Sequence, residues 1–172
     1  SRYFNTIRHL RFIQIYYRLW YRYYRPRYNL DPCPMRRKPV GDWRDPAKKS
    51  LSLIGSNRFR FLNEEHDIVT PGDWNNPEWP KLWLYNLHYF QDLVAITAPE
   101  RHRLHHDIIT RWIAENPPGI GNGWEPYPLS LRIVNWIKWI LAGNEPFPDM
   151  LHSLAIQLRY LRKMLEFHLL GN

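Results

Sequence analysis

Four prolines, Pro80, Pro99, Pro126 and Pro148, decide what the C-terminal half of this chain can become. Proline cannot donate the hydrogen bond that continues a helix, yet it is tolerated in the first turn, where that N–H has no partner anyway. Each of the four stands at the head of a stretch with apolar residues at helical spacing: 81–96, 99–115, 126–141 and 148–170. In the last of these Leu151, Leu154, Leu158, Leu161, Leu165 and Leu169 keep one apolar face. Sequential helices with short connections predict antiparallel helical hairpins, so the body of the chain reads as mainly α.

The N-terminal half reads differently. Residues 3–25 contain no Gly or Pro before Pro26 and predict a helix. On it Arg8, Arg11, Arg18, Arg22 and Arg25 share an arc of roughly 100°, with Tyr, Trp, Leu and Ile filling most of the remainder. Such a stripe fits phosphate, a membrane surface or an acidic sugar; it equally fits arginines that pair within their own protein or are merely solvated. Residues 26–79 carry Pro and Gly at intervals. Within them SLSLIG and RFRFLNEEHDI predict two short strands with a turn from Gly55 to Asn57. The expected organisation is therefore a basic aromatic helix, a Pro-rich linker and a short hairpin over 1–79, followed by helices over 80–172.

Charge follows the same division. The net charge is +8, but residues 1–44 hold 11 Lys+Arg against 2 Asp+Glu, a net of +9, leaving the rest at −1. A basic arm precedes a nearly neutral body, which argues against nucleic acid as the partner of the whole chain. Aromatics at 16%, with 9 Trp and 11 Tyr, exclude a disordered chain. No run approaches the roughly 18 apolar residues of a membrane span. Cys33 is alone and cannot form an internal disulfide, and the first residue is Ser, so the start of translation is not displayed. HRLHH (residues 102–106) lacks Cys or acidic partners at zinc-site spacing, and there is no Gly-rich phosphate loop or nucleophile elbow; neither metal nor cofactor is expected.

GIGNGWEPYPLSLRIVNWIKWIL is the most specific stretch. On a helical projection Leu129, Ile133, Val134, Trp136, Ile137, Ile140 and Leu141 share one side, and Tyr127, Arg132, Asn135, Lys138 and Trp139 the other. With Trp124 just upstream, that second face offers rings to stack on a sugar, a guanidinium to fork a carboxylate and an amide to bond hydroxyls. The same face could instead pack on a neighbouring helix, with Arg132 satisfied by a carboxylate such as Glu125. KLWLYNLHYFQDL has a similar mixture, with Trp83, Asn86, His88 and Tyr89 among leucines. The candidate substrate-binding set is Trp83, Asn86, His88, Trp124, Tyr127, Arg132, Asn135 and Trp139. If Arg132 faces substrate, Arg132→Ala should cut turnover and leave folding nearly intact.

The series DWNNPEWPKLWLYNLHYF, RWIAENPPGIGNGWEPYPLSLRIVNWIKWI and LEFHLLGN closely resembles the N-terminal region of heparinase II/III-like polysaccharide lyases, and TIRHLRFIQIYYRLWYR is similar to the opening of bacterial members. The resemblance implies an incomplete (α/α) toroid of paired helices, a lyase activity and β-elimination of uronic-acid-containing polysaccharide. In that reaction hydrogen bonds or positive charge neutralise the uronate carboxylate, a base takes the C5 proton, and an acid protonates the departing O4 oxygen. The family's Asn-His pair helps neutralise the carboxylate. Asn172 matches that Asn as a catalytic residue, and the matching His would be the next residue. On this reading the chain is the N-terminal part of a larger lyase, inactive by itself.

The expected partners are an acidic polysaccharide and the remainder of the lyase chain, with a membrane surface ranked below both and nucleic acid excluded. A periplasmic or cell-envelope place accompanies the resemblance. A second reading is a non-catalytic glycan-binding or scaffold module of a surface-polysaccharide system. The N-terminal helix is expected to brace the toroid or to meet an acidic surface outside the active site, its aromatic residues buried and its guanidiniums partly exposed.

Overall fold

The computed structural model describes residues 27–37 and 40–165, together with Phe12, Tyr16, Leu19, Trp20, Tyr23 and Tyr24. Arg8, Arg11, Arg18, Arg22, Arg25 and Asn172 lie outside the described residues, as does Leu169. Among residues 40–165 two strands and four helices follow in order: β1 (Arg58–Phe61), β2 (Glu64–Asp67), α1 (Lys81–Tyr89), α2 (His102–Glu115), α3 (Pro126–Leu141) and α4 (Pro148–Lys163). The protein is thus mainly helical with one small antiparallel sheet.

The prolines act as expected. Pro126 and Pro148 occupy the first turns of α3 and α4, Pro80 immediately precedes α1, and Pro99 lies in the 3-10 turn Ala98–Arg101 that leads into α2. The helix predicted over 81–96 is cut short, however. Phe90 adopts a left-handed conformation (φ 57°), α1 ends at Tyr89, and the chain continues as the 3-10 turn Gln91–Val94. The break has a use, because it carries Asp92 into the interior. The last helix is likewise described only to Lys163 and turns a different face inward from the leucine stripe. Met150, Ser153, Leu154, Ala155, Ile156, Gln157 and Tyr160 are its buried residues, while Leu158 is exposed.

The hairpin is real but displaced. β1 and β2 both come from RFRFLNEEHDI, paired from Arg58↔Asp67 to Phe61↔Glu64. The turn is Leu62-Asn63, both at positive φ (54° and 64°), the backbone that a two-residue loop between twisted strands requires. Asn tolerates that region and Leu does not, so the pair gives little turn signal. SLSLIG forms no strand; Leu53 makes a single antiparallel bridge to Phe59. Leu53, Phe59 and Ile68 nevertheless enter the same core as the indoles of Trp83, Trp112, Trp124, Trp136 and Trp139. α3 is the central element, packed on α1 and α4, with α2 on α4 and β1 on α1.

Asp92 joins the irregular N-terminal segment to this helical body. One carboxylate oxygen accepts the amide hydrogens of Ser52 and Leu53, each at 2.9 Å; the other accepts from His105 Nε2 at 3.0 Å and from Arg101. Arg101 also donates to the Leu53 carbonyl. Burial alone would raise the Asp92 pKa, but hydrogen bonds from His105 and from the Leu53 and Ser52 amides, with the Arg101 charge, prevail and hold it at about 2 against an ordinary 3.8.

A depressed carboxylate pKa means that the folded state binds fewer protons than the unfolded one. Asp92 therefore contributes roughly 2 kcal/mol of stability that is full above 3.8 and lost as pH falls through about 2. Asp92→Asn should lower the urea midpoint at neutral pH. The gap to the parent should narrow as acid unfolding curves approach pH 2; a gap constant with pH would refute the role of the charge.

Candidate functional site

The most specific sequence stretch is built as a loop fastened from within. Gly121 (φ 81°) lies so close to Asn75 that a Cβ would meet the Asn75 amide at 2.4 Å, and the Asn122 N–H donates to Asn75 Oδ1 at 2.6 Å. At Gly123 a Cβ would meet the His88 ring at 2.6 Å. Arg132 Nη1 donates to the Gly123 carbonyl at 2.7 Å and to that of His88 at 3.5 Å. Its Nε donates to Gln157 Oε1 at 3.0 Å. Gln157 is itself oriented by donation to Ser153 Oγ. The loop ends with Trp124 buried, its Nε1 donating to the Asn116 carbonyl.

Arg132 is fully buried and pairs with no carboxylate among the described residues; its guanidinium lies 3.9 Å from the Trp112 ring centroid and 5.8 Å from that of Trp124. Aromatic faces supply part of what a counter-ion would. Burial drives its pKa well below the usual arginine value. His88 is buried beside it, and burial, reinforced by the Arg132 charge, pushes its pKa down to about 3. The ring is neutral at ordinary pH, and its partners fix the tautomer: Nε2 donates to the Trp74 carbonyl and Nδ1 accepts from Trp112 Nε1, each at 3.0 Å.

Hence the face that the helical projection offers to a sugar is turned inward. Arg132, Asn135 and Trp139 are buried on α3, whereas Val134 and Leu141 are exposed. Asn135 donates to the Tyr89 carbonyl at 2.8 Å and so closes the end of α1. Trp139 stacks on His102 at 5.3 Å. Trp83 packs under the hairpin, bonding the Glu64 carbonyl and facing Phe61. Glu125 is not the partner of Arg132. Six of the eight candidate residues, Trp83, His88, Trp124, Arg132, Asn135 and Trp139, are therefore interior; His88, Trp124 and Arg132 meet around Gly123.

Tyr127 and Asn86 remain toward solvent. Tyr127 is 57% exposed and meets Tyr89 edge-on at 5.7 Å. Asn86 is half-buried and bonds the Leu82 carbonyl in its own helix. Beside them stand three residues outside the candidate set: Lys81, Tyr85 and Glu125. Lys81 Nζ lies 3.0 Å from Glu125 Oε1, and the Tyr85 hydroxyl donates to Glu125 Oε2. The spacing of Lys81, Tyr85 and Tyr89 at i, i+4 and i+8 puts them on one face of α1, a signal that the sequence itself carries. Glu125, at the N-terminus of α3, also lies where a helix favours negative charge.

This surface suits binding more than proton abstraction. Burial and the bond to Glu125 raise the Tyr85 pKa, and burial with the neighbouring Tyr127 raises that of Tyr89 to about 12. Both phenols keep their protons. The bond to Glu125 raises the Lys81 pKa, so its exposed ammonium stays charged. The result is an aromatic face next to a cation and hydroxyl and amide groups. Among the described residues no group of His, Cys, Asp and Glu is arranged to hold a metal. No family model, curated protein or solved structure matches the chain.

Arg132→Ala should strip buried acceptors of their donor and leave a cavity against Trp112. The expected loss is about 3 kcal/mol or more, read as a fall in Tm and in denaturant midpoint. Arg132→Lys, lacking the planar fork, should recover only part of it. An alanine variant with unchanged Tm would show that the guanidinium does not hold the loop.

Proposed function

We propose that this chain forms part of the sugar-binding wall of a polysaccharide lyase acting on a uronic-acid-containing polymer, α1 to α4 being the first helices of an incomplete (α/α) toroid. One observation carries the reading. The stretch that bears the family resemblance, GNGWEPYPLSLR, is locked from within by Arg132 and Asn75 and brings Glu125 and Tyr127 out beside Lys81 and Tyr85. Tyr127 gives a ring face for a pyranose, Lys81 a cation for a uronate carboxylate, and Asn86 an amide within the same helix. Trp83, His88, Trp124, Arg132, Asn135 and Trp139 serve as the frame behind that wall. Asn172, by the resemblance, would neutralise the uronate carboxylate at the reacting sugar; the resemblance assigns base and acid to other segments of a lyase.

The Tyr85 hydroxyl is tied to Glu125 and Lys81 is paired with the same carboxylate, a polar face with no free base, which fits a second reading alongside the first, a glycan-binding module without chemistry. Both readings predict binding, and the lyase reading alone predicts turnover once the chain is joined to the segments that supply base and acid.

Titrating uronate oligosaccharides into the chain should give saturable binding that weakens with salt. Tyr127→Ala should weaken it roughly tenfold with unchanged Tm, because the ring is exposed. Lys81→Ala should flatten the salt dependence. The chain by itself should accumulate no ultraviolet-absorbing unsaturated uronate. Binding indifferent to both substitutions would remove this surface from consideration, and catalytic accumulation of unsaturated product would show that base and acid lie within these residues.

A further inference from the structure

The described side chains of the predicted N-terminal helix are not buried. Phe12, Tyr16, Leu19, Trp20 and Tyr23 have helical backbone and are 85, 49, 56, 43 and 80% exposed. At 100° per residue these five positions fall within an arc of about 100°, a single apolar stripe along three turns. Tyr16 and Trp20 stack at 5.9 Å, and Trp20 and Tyr24 lie 4.9 Å apart, so these three rings form a ladder along the edge of the stripe. A bracing role, which requires these rings to be covered, does not fit their exposure.

We propose that this stripe is an interfacial anchor that lies on an anionic lipid surface. Three observations select that occupant. The composition is that of a membrane interface: Trp and Tyr, amphipathic rings that settle at headgroup depth, alternate with Phe12 and Leu19, which suit the acyl boundary. A sugar platform would need hydrogen-bonding groups where Phe12 and Leu19 stand. The surrounding sequence is strongly cationic, with a net charge of +9 over residues 1–44, complementary to anionic lipid. In sequence, the arginines at 8, 11, 18, 22 and 25 take the arc adjoining the stripe on the same helical projection, the arrangement of a helix lying in the plane of a bilayer. With five arginines within residues 3–25 the segment is too charged to span a bilayer; the anchor lies on the surface. It is separate from the wall formed by Lys81, Tyr85 and Tyr127 and does not depend on the sugar reading.

The test is co-sedimentation of the full chain with phosphatidylcholine vesicles and with vesicles of phosphatidylcholine and phosphatidylserine in equal parts. Binding should be at least about tenfold stronger to the mixed vesicles and should weaken as salt rises. Leu19→Ser combined with Trp20→Ser should reduce it by about tenfold or more. Because both side chains are exposed, Tm should not change, and uronate binding by the chain should persist. Equal binding to both vesicle types, or retention by the double variant, overturns the proposal. So does a stripe-dependent dimer that ignores vesicles, which would make a second copy the occupant. Loss of polysaccharide binding in the double variant, with vesicles ignored, would assign the stripe to sugar instead.

Discussion

A buried guanidinium held by carbonyls and rings in place of a carboxylate is the constraint around which this molecule is arranged. Burial works against the Arg132 charge, and an ion enters an interior only where dipoles and polarisable faces replace water. Here the replacement consists of two carbonyls, one side-chain amide and two indole faces. They come from α1, the glycine loop, α4 and α2, so meeting the needs of one side chain sets the mutual positions of four segments. The tryptophans around it are more than apolar filler: their rings accept the cation, and the Trp112 N–H completes the neutral His88 that lies alongside.

Asp92 is the complementary node. An interior anion gathers the amides of an irregular segment and the side chains of Arg101 and His105, and the left-handed Phe90 exists to deliver it. Cation and anion do not pair with each other. Each organises its own neighbourhood, one fixing the loop behind the candidate sugar wall, the other tying residues 49–54 to the helices. That separation explains how residues 40–79, with so little regular structure, still contribute Leu53, Phe59 and Ile68 to a common core.

Helix existence was legible from proline spacing, because proline's missing N–H acts locally and needs no tertiary knowledge. The direction in which α3 faces was not. A projection sorts side chains by polarity, and Arg132, Asn135 and Trp139 look like a surface because their compensating partners, Gln157, the Tyr89 carbonyl and His102, are remote in sequence. The hairpin register failed for a related reason: Leu62 occupies a backbone region that its side chain disfavours, so the turn carries no glycine mark. Lys81 and Tyr85 could have been read from their helical spacing. Their convergence on Glu125, some 40 residues on, could not.

The distribution of indoles gives the molecule two optical populations. Trp74, Trp83, Trp112, Trp136 and Trp139 are fully enclosed, and Trp124 nearly so, while Trp20 and Trp43 are exposed and Trp79 is half-buried. Enclosed indoles emit at shorter wavelength and are screened from dissolved quenchers; the solvated pair are neither. Intrinsic emission therefore separates what happens to the helical body from what happens to the arm, without any attached label. A quencher that reaches only the long-wavelength component reads the arm, with a contribution from Trp79 just ahead of α1.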